Sequence, residues 1–276
     1  MSPFHPTFNT VSAGRPDLKH PVEQSTFRFL HSLSYKADLP RDHRRAAIDV
    51  HIRNERTAVK DYAGPFEVHL TVRLRDFDQE SHFANWCSRR SLKFVSIVLS
   101  RGQFCQQPMA TWKVSRSILC DVLNRSEQVA VEARQAEFDP VRLKIEVSPA
   151  NDDVPASDSD AELHSRHNYF EHHVKLQRKT GRPNDKLNHI CELTGAHLSR
   201  NALRQVANGF EERFVTLRTY RCGRTSSEQA LAQLIGLLTK AGEHILEIES
   251  EYCVYDSNVQ LDAGWLRTGS SSSSIL

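Results

Sequence analysis

Two seven-residue segments contain side chains that could do chemistry. FEVHLTV at 66–72 and FEHHVKL at 170–176 share Phe, Glu and His at the same positions. Because alternate side chains of a β-strand point to the same face, each segment would present Glu, His and a third polar residue together. Carboxylates and imidazoles at this spacing suit proton transfer or metal coordination. The pattern yields six candidate site residues: Glu67, His69, Thr71, Glu171, His173 and Lys175.

The first segment has a histidine and a hydroxyl two residues apart, His69 and Thr71, flanked by apolar residues. This pattern resembles the H-x-T/S motif of the 2H phosphoesterase superfamily, which carries one such motif on each lobe of a pseudo-two-fold α+β fold. The resemblance implies a phosphoester-directed hydrolase in which His69 and His173 are the catalytic acid and base. The second copy departs from the motif, since Lys175 stands where the family has Thr or Ser.

In this interpretation the phosphate of the substrate is bound by Thr71, Lys175 and Arg218. A hydroxyl and two cationic side chains can hold phosphate oxygens by hydrogen bonds and charge. Arg218 belongs to the segment 200–224, which contains six arginines and no lysine, although a solvated sheet surface would have the same composition. The expected partner is a small phosphorylated molecule or a nucleotide, and this reaction needs no cofactor.

Metal binding is an alternative interpretation of the same residues. Glu67 and His69 from one strand, with Glu171 and His173 from another, could bind one ion between them. Two imidazoles and two carboxylates suit zinc or iron as the cofactor of a metal-dependent enzyme. The sequence at 171–175, Glu-x-His-x-Lys, is also similar to the Glu-x-Glu-x-Lys strand of triphosphate tunnel enzymes, but with His in place of the middle Glu.

A third interpretation is a non-catalytic binding or interaction protein. Polar side chains are common on the solvent side of an antiparallel sheet. A repeat would copy a neutral Glu-x-His as readily as a useful one, and the duplicated sheet could then serve to pair with a partner. Three function classes therefore stay open: a hydrolase, a metal-dependent enzyme and a binding protein.

The same order of predicted elements surrounds both segments. Each half of the chain predicts strand, helix, strand, strand, helix and strand, at a constant offset of 104 residues as far as the last strand. There LKIEVS at 143–148 aligns with LEIESE at 246–251, which places Glu146 opposite Glu249. We therefore expect an α+β fold: a tandem duplication of two ferredoxin-like (βαββαβ) units with a flexible N-terminal arm.

The helices of a ferredoxin-like unit cover one face of its sheet. The apolar residues of FEVHLTV would face the helices, and Glu67, His69 and Thr71 would lie on the open face. Lys144 and Glu146, and Glu247, Glu249 and Glu251, are expected on the open faces as well. If the two open faces meet, these rows form a polar groove. If they face water, they are only the wet surface of a sheet.

Composition changes along the chain predict the domain boundaries. The last helix is predicted to begin at Ser226 or Ser227 and to stop at Gly242. A segment rich in Asp, Pro and Ser predicts a linker, and a serine-rich end predicts a disordered tail. The expected divisions are an irregular arm at 1–60, a first unit at 61–150, a linker at 151–165, a second unit at 166–262 and a tail at 263–276.

Overall composition excludes several partners. A net charge of +2 is too small to indicate nucleic acid or an anionic membrane. The six cysteines form no C-x-x-C pair, which is typical of reduced thiols, and no apolar run reaches the length of a membrane helix. We expect a cytoplasmic protein without a membrane partner. Base stacking of the RRM type is not expected, because the open face of the first strand lacks aromatic residues.

Overall fold

The computed structural model describes residues 61–201 and 209–265. Their strands are β1 (Ala63–Arg73), β2 (Lys93–Leu99), β3 (Gln106–Ile118), β4 (Asp139–Val147), β5 (Tyr169–Lys179), β6 (His197–Asn201), β7 (Phe210–Tyr220) and β8 (His244–Asp256). Their helices are α1 (Phe77–Arg89), α2 (Leu119–Gln135), α3 (Asp158–Ala161), α4 (Asp185–Thr194), α5 (Arg224–Lys240) and a 3-10 turn, Val259–Asp262. The predicted α+β class is confirmed, and the predicted arm at 1–60 lies outside the described residues.

Each half of the sheet has the strand arrangement expected of a ferredoxin-like unit. In the first half β1 lies between β3 and β4, and β2 lies outside β3. In the second half β5 lies between β7 and β8, and β6 lies outside β7. All these pairings are antiparallel, and long helices follow the first and third strands of each half. The βαββαβ order therefore occurs twice, while its origin by duplication stays a prediction.

The two halves share one sheet, which closes into a barrel. The order around it is β1-β3-β2-β6-β7-β5-β8-β4. The seams between the halves are short: β2 pairs with β6 at three positions, Ile97 to Leu99, and β4 pairs with β8 at four, Lys144 to Val147. Closure brings the helix-free faces of both halves together. Part of the predicted polar rows therefore lines a common interior, whereas Glu247 and Glu249 of β8 are exposed.

The apolar faces of the strands pack outward against the helices in two separate clusters. In the first half Phe66, Val68 and Leu70 are buried with Phe83 and Trp86 of α1. In the second half Val174 and Leu176 are buried with helix residues such as Leu187 and Leu234. Each such side chain contributes about 1.5–3 kcal/mol on burial. The strict alternation of β1 and β5 thus sends the polar residues inward, toward the barrel axis.

The start of α5 corrects one sequence prediction. Its N-cap is Gly223, and neither Ser226 nor Ser227 caps the helix. The carboxylate of Asp158 accepts a hydrogen bond from the backbone N–H of Gly223 at 2.7 Å and from the hydroxyl of Ser226 at 2.9 Å. The cap is supplied from α3, at a distance in sequence that local pattern rules do not cover. The predicted linker at 151–165 is therefore packed against the second half.

The end of the described chain corrects another prediction. The tail was expected to start at 263, but Trp265 is buried, and its indole N–H donates to the backbone carbonyl of Leu198 at 3.2 Å. The 3-10 turn before it brings Asp262 into the barrel wall, where it is also buried. A Ser-rich sequence alone did not show where the packed part of the chain stops.

The register of the closing strands differs from the sequence alignment. Val147 of β4 lies opposite Phe66, whereas Tyr252 of β8 lies opposite Phe170. Glu146 is therefore equivalent to Glu251, and its alignment with Glu249 was wrong by two residues. The reason is that β8 has 13 residues and β4 has 9, so similar apolar patterns fit at more than one register.

Candidate functional site

His69 and His173 are held in the same way by the third strands of the two halves. Nδ1 of His69 hydrogen-bonds the hydroxyl of Thr111 at 3.0 Å, and Nδ1 of His173 hydrogen-bonds that of Thr216 at 3.0 Å. Each threonine lies directly opposite its histidine in the strand pairing. A hydrogen bond at Nδ1 fixes the plane of the ring. Both rings therefore direct Nε2 toward carboxylates in the barrel.

Carboxylate oxygens lie next to Nε2 of both histidines. Nε2 of His69 is 2.9 Å from Oε2 of Glu146. Nε2 of His173 is 3.2 Å from Oε1 of Glu171 and 3.7 Å from Oε2 of Glu251. The Glu-x-His spacing within β5 accounts for the contact with Glu171. In the first half the neighbouring carboxylate comes instead from β4.

Lys144 links the carboxylates of the two halves. Its Nζ is 2.8 Å from Oε1 of Glu146 and 2.8 Å from Oε1 of Glu171. Burial by itself would lower the pKa of Lys144, but these two carboxylates outweigh it and hold that pKa above its ordinary value. Burial likewise opposes the ionisation of Glu146 and Glu171, and their cationic neighbours overcome it, so both carboxyl pKa values are lowered. The three groups are charged and mutually compensated.

Glu251 differs from the other carboxylates. Burial, followed by the negative charge of Glu146, raises the pKa of Glu251 well above its ordinary value. Lys144 opposes that shift without cancelling it. Three further atoms stand out: both oxygens of Glu146 and Nε2 of His69 are buried without a hydrogen bond of good geometry, despite their short ion-pair distances.

Three sets of side chains could each offer three ligand atoms within 4.8 Å of one another. The first set is His69, Glu146 and Glu251, and the second is Glu171, His173 and Glu251. A third, nearer solvent, is Glu67, Glu249 and Glu251. Glu251 is common to all three, so it is the central acidic group of the site.

The other residues predicted for the site have different partners. The carboxylate of Glu67 lies 3.0 Å from Nζ of Lys113 on the neighbouring strand. Lys175 contacts Glu212 at 3.4 Å and Glu247 at 3.6 Å, in a separate charge cluster. Thr71 is buried in β1. The predicted set of six is thus divided. Glu171 and the two histidines lie among the buried carboxylates, and Glu67 lies near Glu251 on the side nearer solvent.

Arg218 is also committed elsewhere. Its guanidinium donates to the carboxylate of Glu171 and, at 2.8 Å, to Asp262. It stacks over the rings of Tyr169 and Trp265. Arg218 is equivalent to Lys113, because these residues lie opposite Glu171 and Glu67 in the strand pairing. The arginine predicted to bind substrate instead orients a carboxylate of the cluster.

Sequence reasoning missed the two threonines and the central role of Glu251. Thr111 and Thr216 are 105 residues apart, close to the offset of the histidines, and each is a polar residue on a third strand. That near-equal spacing could have identified the two threonines as equivalent residues of the two halves. Glu251 was expected on the open face. The sequence alignment paired Glu146 with Glu249, however, and therefore did not identify Glu251 as the equivalent residue.

A second buried network closes the barrel wall beside the cluster. Arg142 donates to Asp256 at 2.9 Å and to Asp262 at 3.0 Å, and Tyr169 donates to Asp256 at 2.8 Å. The amide of Gln107 donates to Asp262 at 2.8 Å. Every carboxylate in this network has a cationic or hydrogen-bonding partner. At the carboxylate cluster, by contrast, Nε2 of His69 and both oxygens of Glu146 lack a hydrogen bond of good geometry.

Comparisons with known proteins do not assign the chain. No protein-family model and no curated protein matches it. The small subunit of acetolactate synthase from Thermotoga maritima is similar over 70% of this chain and 95% of its own, at 12% identity and a TM-score of 0.25. Aspartate kinase from Synechocystis is similar over 71% and 45%, at 12% identity and 0.22. The siroheme decarboxylase NirDL is similar over 77% and 81%, at 9% identity and 0.23.

TM-scores this low carry no argument about fold or function, so the interpretation of the site rests on its own contacts. No helix among the described residues is long and apolar enough to cross a membrane. The six cysteines are free thiols, as their spacing predicted, and Cys87 and Cys191 are buried in the two outer cores.

Proposed function

We propose that this chain is a metal-binding protein whose barrel interior binds a divalent transition-metal ion. The observation that carries the proposal is the set formed by His69, Glu146 and Glu251, whose ligand atoms lie within 4.8 Å of one another. Within that set the buried carboxylate of Glu146 and Nε2 of His69 lack hydrogen bonds. Their partners among the described side chains are charged groups at ion-pair distance, and a bound cation would take the place of the contact between Glu146 and His69.

The distances between ligand atoms suit a common ion. Ligands bound at about 2.1 Å to one ion are about 3.0–3.4 Å apart, by the geometry of octahedral and tetrahedral sites. Nε2 of His69 and Oε2 of Glu146 are 2.9 Å apart. Nε2 of His173 lies 3.2 Å from Glu171 and 3.7 Å from Glu251. Small movements of the carboxylates complete the coordination.

The donor set indicates the class of metal. Imidazole and carboxylate together favour zinc, iron and manganese, whereas magnesium and calcium prefer oxygen alone. Thr111 would act through the ring of His69, because a hydrogen bond from Nδ1–H to its hydroxyl orients Nε2 toward the ion. Relative to the sequence hypothesis, Glu146 and Glu251 replace Glu67 as ligands. The proposal is one of binding, and it assigns no reaction.

Phosphoester hydrolysis stays a prediction with less support. A general acid or base must reach the substrate with a ring nitrogen. Here both nitrogens of His69 are in contact with protein groups, and those of His173 are as well. A phosphate beside Nε2 would meet the carboxylates of Glu146, Glu171 and Glu251. Thr71 and Lys175 contribute nothing to this cluster, so the phosphate holders that the resemblance implies are not assembled.

The proposal is tested by metal content and affinity. The full chain is stripped with chelator, and binding of Mn²⁺, Fe²⁺ and Zn²⁺ is measured by titration and elemental analysis. Glu251→Gln keeps the size of the side chain and is expected to weaken binding by about 100-fold or more, beyond the usual loss for an outer-sphere change. Glu247→Gln, on the same strand but in the other charge cluster, is the matched control and should bind like the parent. A parent chain that binds none of the three ions contradicts the proposal.

A further inference from the structure

We infer that the barrel holds two metal ions, one in each half, with the carboxylate of Glu251 bridging them. This inference rests on the proposed function, because it concerns the same interior. It adds a second ion position, a stoichiometry and a role for Glu251 that a single-ion site does not require.

Two of the three sets of ligand atoms contain a histidine, and these two share Glu251. His69 and Glu146 belong to the first half, and Glu171 and His173 belong to the second. Glu251 lies within 4.8 Å of the ligand atoms of both pairs. No set among the described residues contains both histidines. One ion therefore cannot take both imidazoles with the side chains as they stand, whereas two ions can each take one.

In each half, a threonine hydroxyl holds the histidine ring by a hydrogen bond at Nδ1. In a ring that binds metal through Nε2, Nδ1–H is the donor: that of His69 donates to the hydroxyl of Thr111, and that of His173 donates to the hydroxyl of Thr216, each at 3.0 Å. A histidine that binds metal through Nε2 commonly has its other nitrogen held in this way. If only one half bound metal, the hydrogen bond to the histidine of the other half would not serve to orient a metal ligand. The repeated support is expected when both rings are ligands.

Lys144 places the two half-sites side by side. Its single ammonium contacts Oε1 of Glu146 and Oε1 of Glu171 at 2.8 Å each, so these two oxygens are close neighbours. They are the terminal carboxylates of the two half-sites. Two-metal centres have ions about 3.5–4 Å apart, joined by bridging groups. A shared Glu251 between neighbouring terminal carboxylates provides that arrangement.

The test is the stoichiometry of Mn²⁺ in the stripped full chain, followed by electron paramagnetic resonance. We expect about two equivalents per chain and the spectrum of a magnetically coupled pair, as in bridged two-metal sites. His69→Ala and His173→Ala should each keep about one equivalent and lose the coupled spectrum, since each removes one half-site. Glu247→Gln should keep both equivalents and the coupling.

The outcomes separate the two proposals. A parent chain that binds no Mn²⁺, Fe²⁺ or Zn²⁺ overturns both. A parent chain that binds one equivalent, and loses all of it when either histidine is replaced, overturns the two-ion inference and leaves the proposed function standing. The measurement on the parent does not depend on any variant folding, and circular dichroism identifies variants whose loss of metal reflects misfolding.

Discussion

At the scale of single residues, neighbours in sequence have opposite environments. His172 lies between Glu171 and His173 but points outward, under α5. Its Nδ1 hydrogen-bonds Ser250 at 2.8 Å and its Nε2 hydrogen-bonds Ser227 at 2.7 Å. Burial, followed by the nearby His173, lowers the pKa of His172 to about 4. These contacts make His172 a hydrogen-bonded core histidine on the helix-covered side of the sheet.

The lowered pKa of His172 gives a dependence of stability on pH. In the unfolded chain this ring takes up a proton near its ordinary pKa of about 6.5, whereas the folded ring stays neutral until about pH 4. Its contribution is therefore present above pH 6.5 and is lost as the pH falls toward 4. Between pH 7 and pH 5 we expect a loss of about 1–2 kcal/mol, since the His172 ring is buried in the folded protein.

The measurement is the free energy of unfolding by denaturant at pH 7 and pH 5, in chelator, for the parent and for His172→Gln. The variant can keep hydrogen bonds to both serines but does not titrate. Because His173 contributes to the lowered pKa of His172, the difference between the two proteins reports the His172 ring together with this coupling. Identical pH dependence in both proteins would refute this assignment.

At the scale of elements, α5 is positioned by the segment that precedes the second half. The backbone of Ser157 packs directly on Gly223, and a Cβ at Gly223 would overlap it. Gly223 sits in an extended conformation that other residues adopt, so its requirement is for space alone. Gly236, inside the same helix, has nothing within 4 Å of the position of a Cβ. Replacement by alanine is therefore expected to have opposite effects on stability at the N-cap glycine and at the glycine inside the helix.

Gly223→Ala is expected to destabilise the fold by about 1–3 kcal/mol, as overpacking against rigid backbone does. Gly236→Ala is expected to stabilise it by up to about 1 kcal/mol through helix propensity. Thermal melting of both variants beside the parent measures the pair. Equal melting temperatures for the two variants would show that α3 does not hold the start of α5.

At the scale of the whole molecule, the halves are joined by two short seams and by a buried ionic network. Arg142 of the first half donates to Asp256 and Asp262 of the second. Burial disfavours the charges, but the guanidinium holds the pKa of both aspartates below their ordinary value. Removing one partner of such a network leaves charge buried without compensation.

Arg142→Ala is therefore expected to cost about 3–5 kcal/mol of unfolding free energy. The control is Arg90→Ala, which removes an exposed pair with Glu132 and a contact with the ring of Trp86, and should cost about 1 kcal/mol. Denaturant titration monitored by tryptophan fluorescence compares the two. Costs of similar size would mean that the Arg142 network does not join the halves.

Features that depend on residues close together in sequence could be predicted, whereas features that depend on contacts between distant segments could not. Alternation of apolar and polar residues predicted β1 and β5, and with them the inward face that carries His69 and His173. Barrel closure depends on the seams at β2–β6 and β4–β8, which are three and four residue pairs long and leave no pattern in the sequence. Thr111 and Glu251 contact the histidines from other strands. Sequence analysis missed these contacts because the two residues are far in sequence from the histidines, and because they resemble ordinary solvent-exposed polar residues of a strand.

The unequal length of β4 and β8 has a consequence for solubility. β4 pairs with β8 no further than Tyr252, so among the described residues the stretch from His244 to Ser250 has β5 on one side and no strand on the other. Leu246 and Ile248 in that stretch are each 42% exposed. An unpaired strand with exposed apolar side chains can pair with a strand of another molecule. Glu247 and Glu249 alternate with them. A second copy aligned along this edge would bring carboxylates together, so the alternating glutamates keep neighbouring molecules from stacking into a continuous sheet.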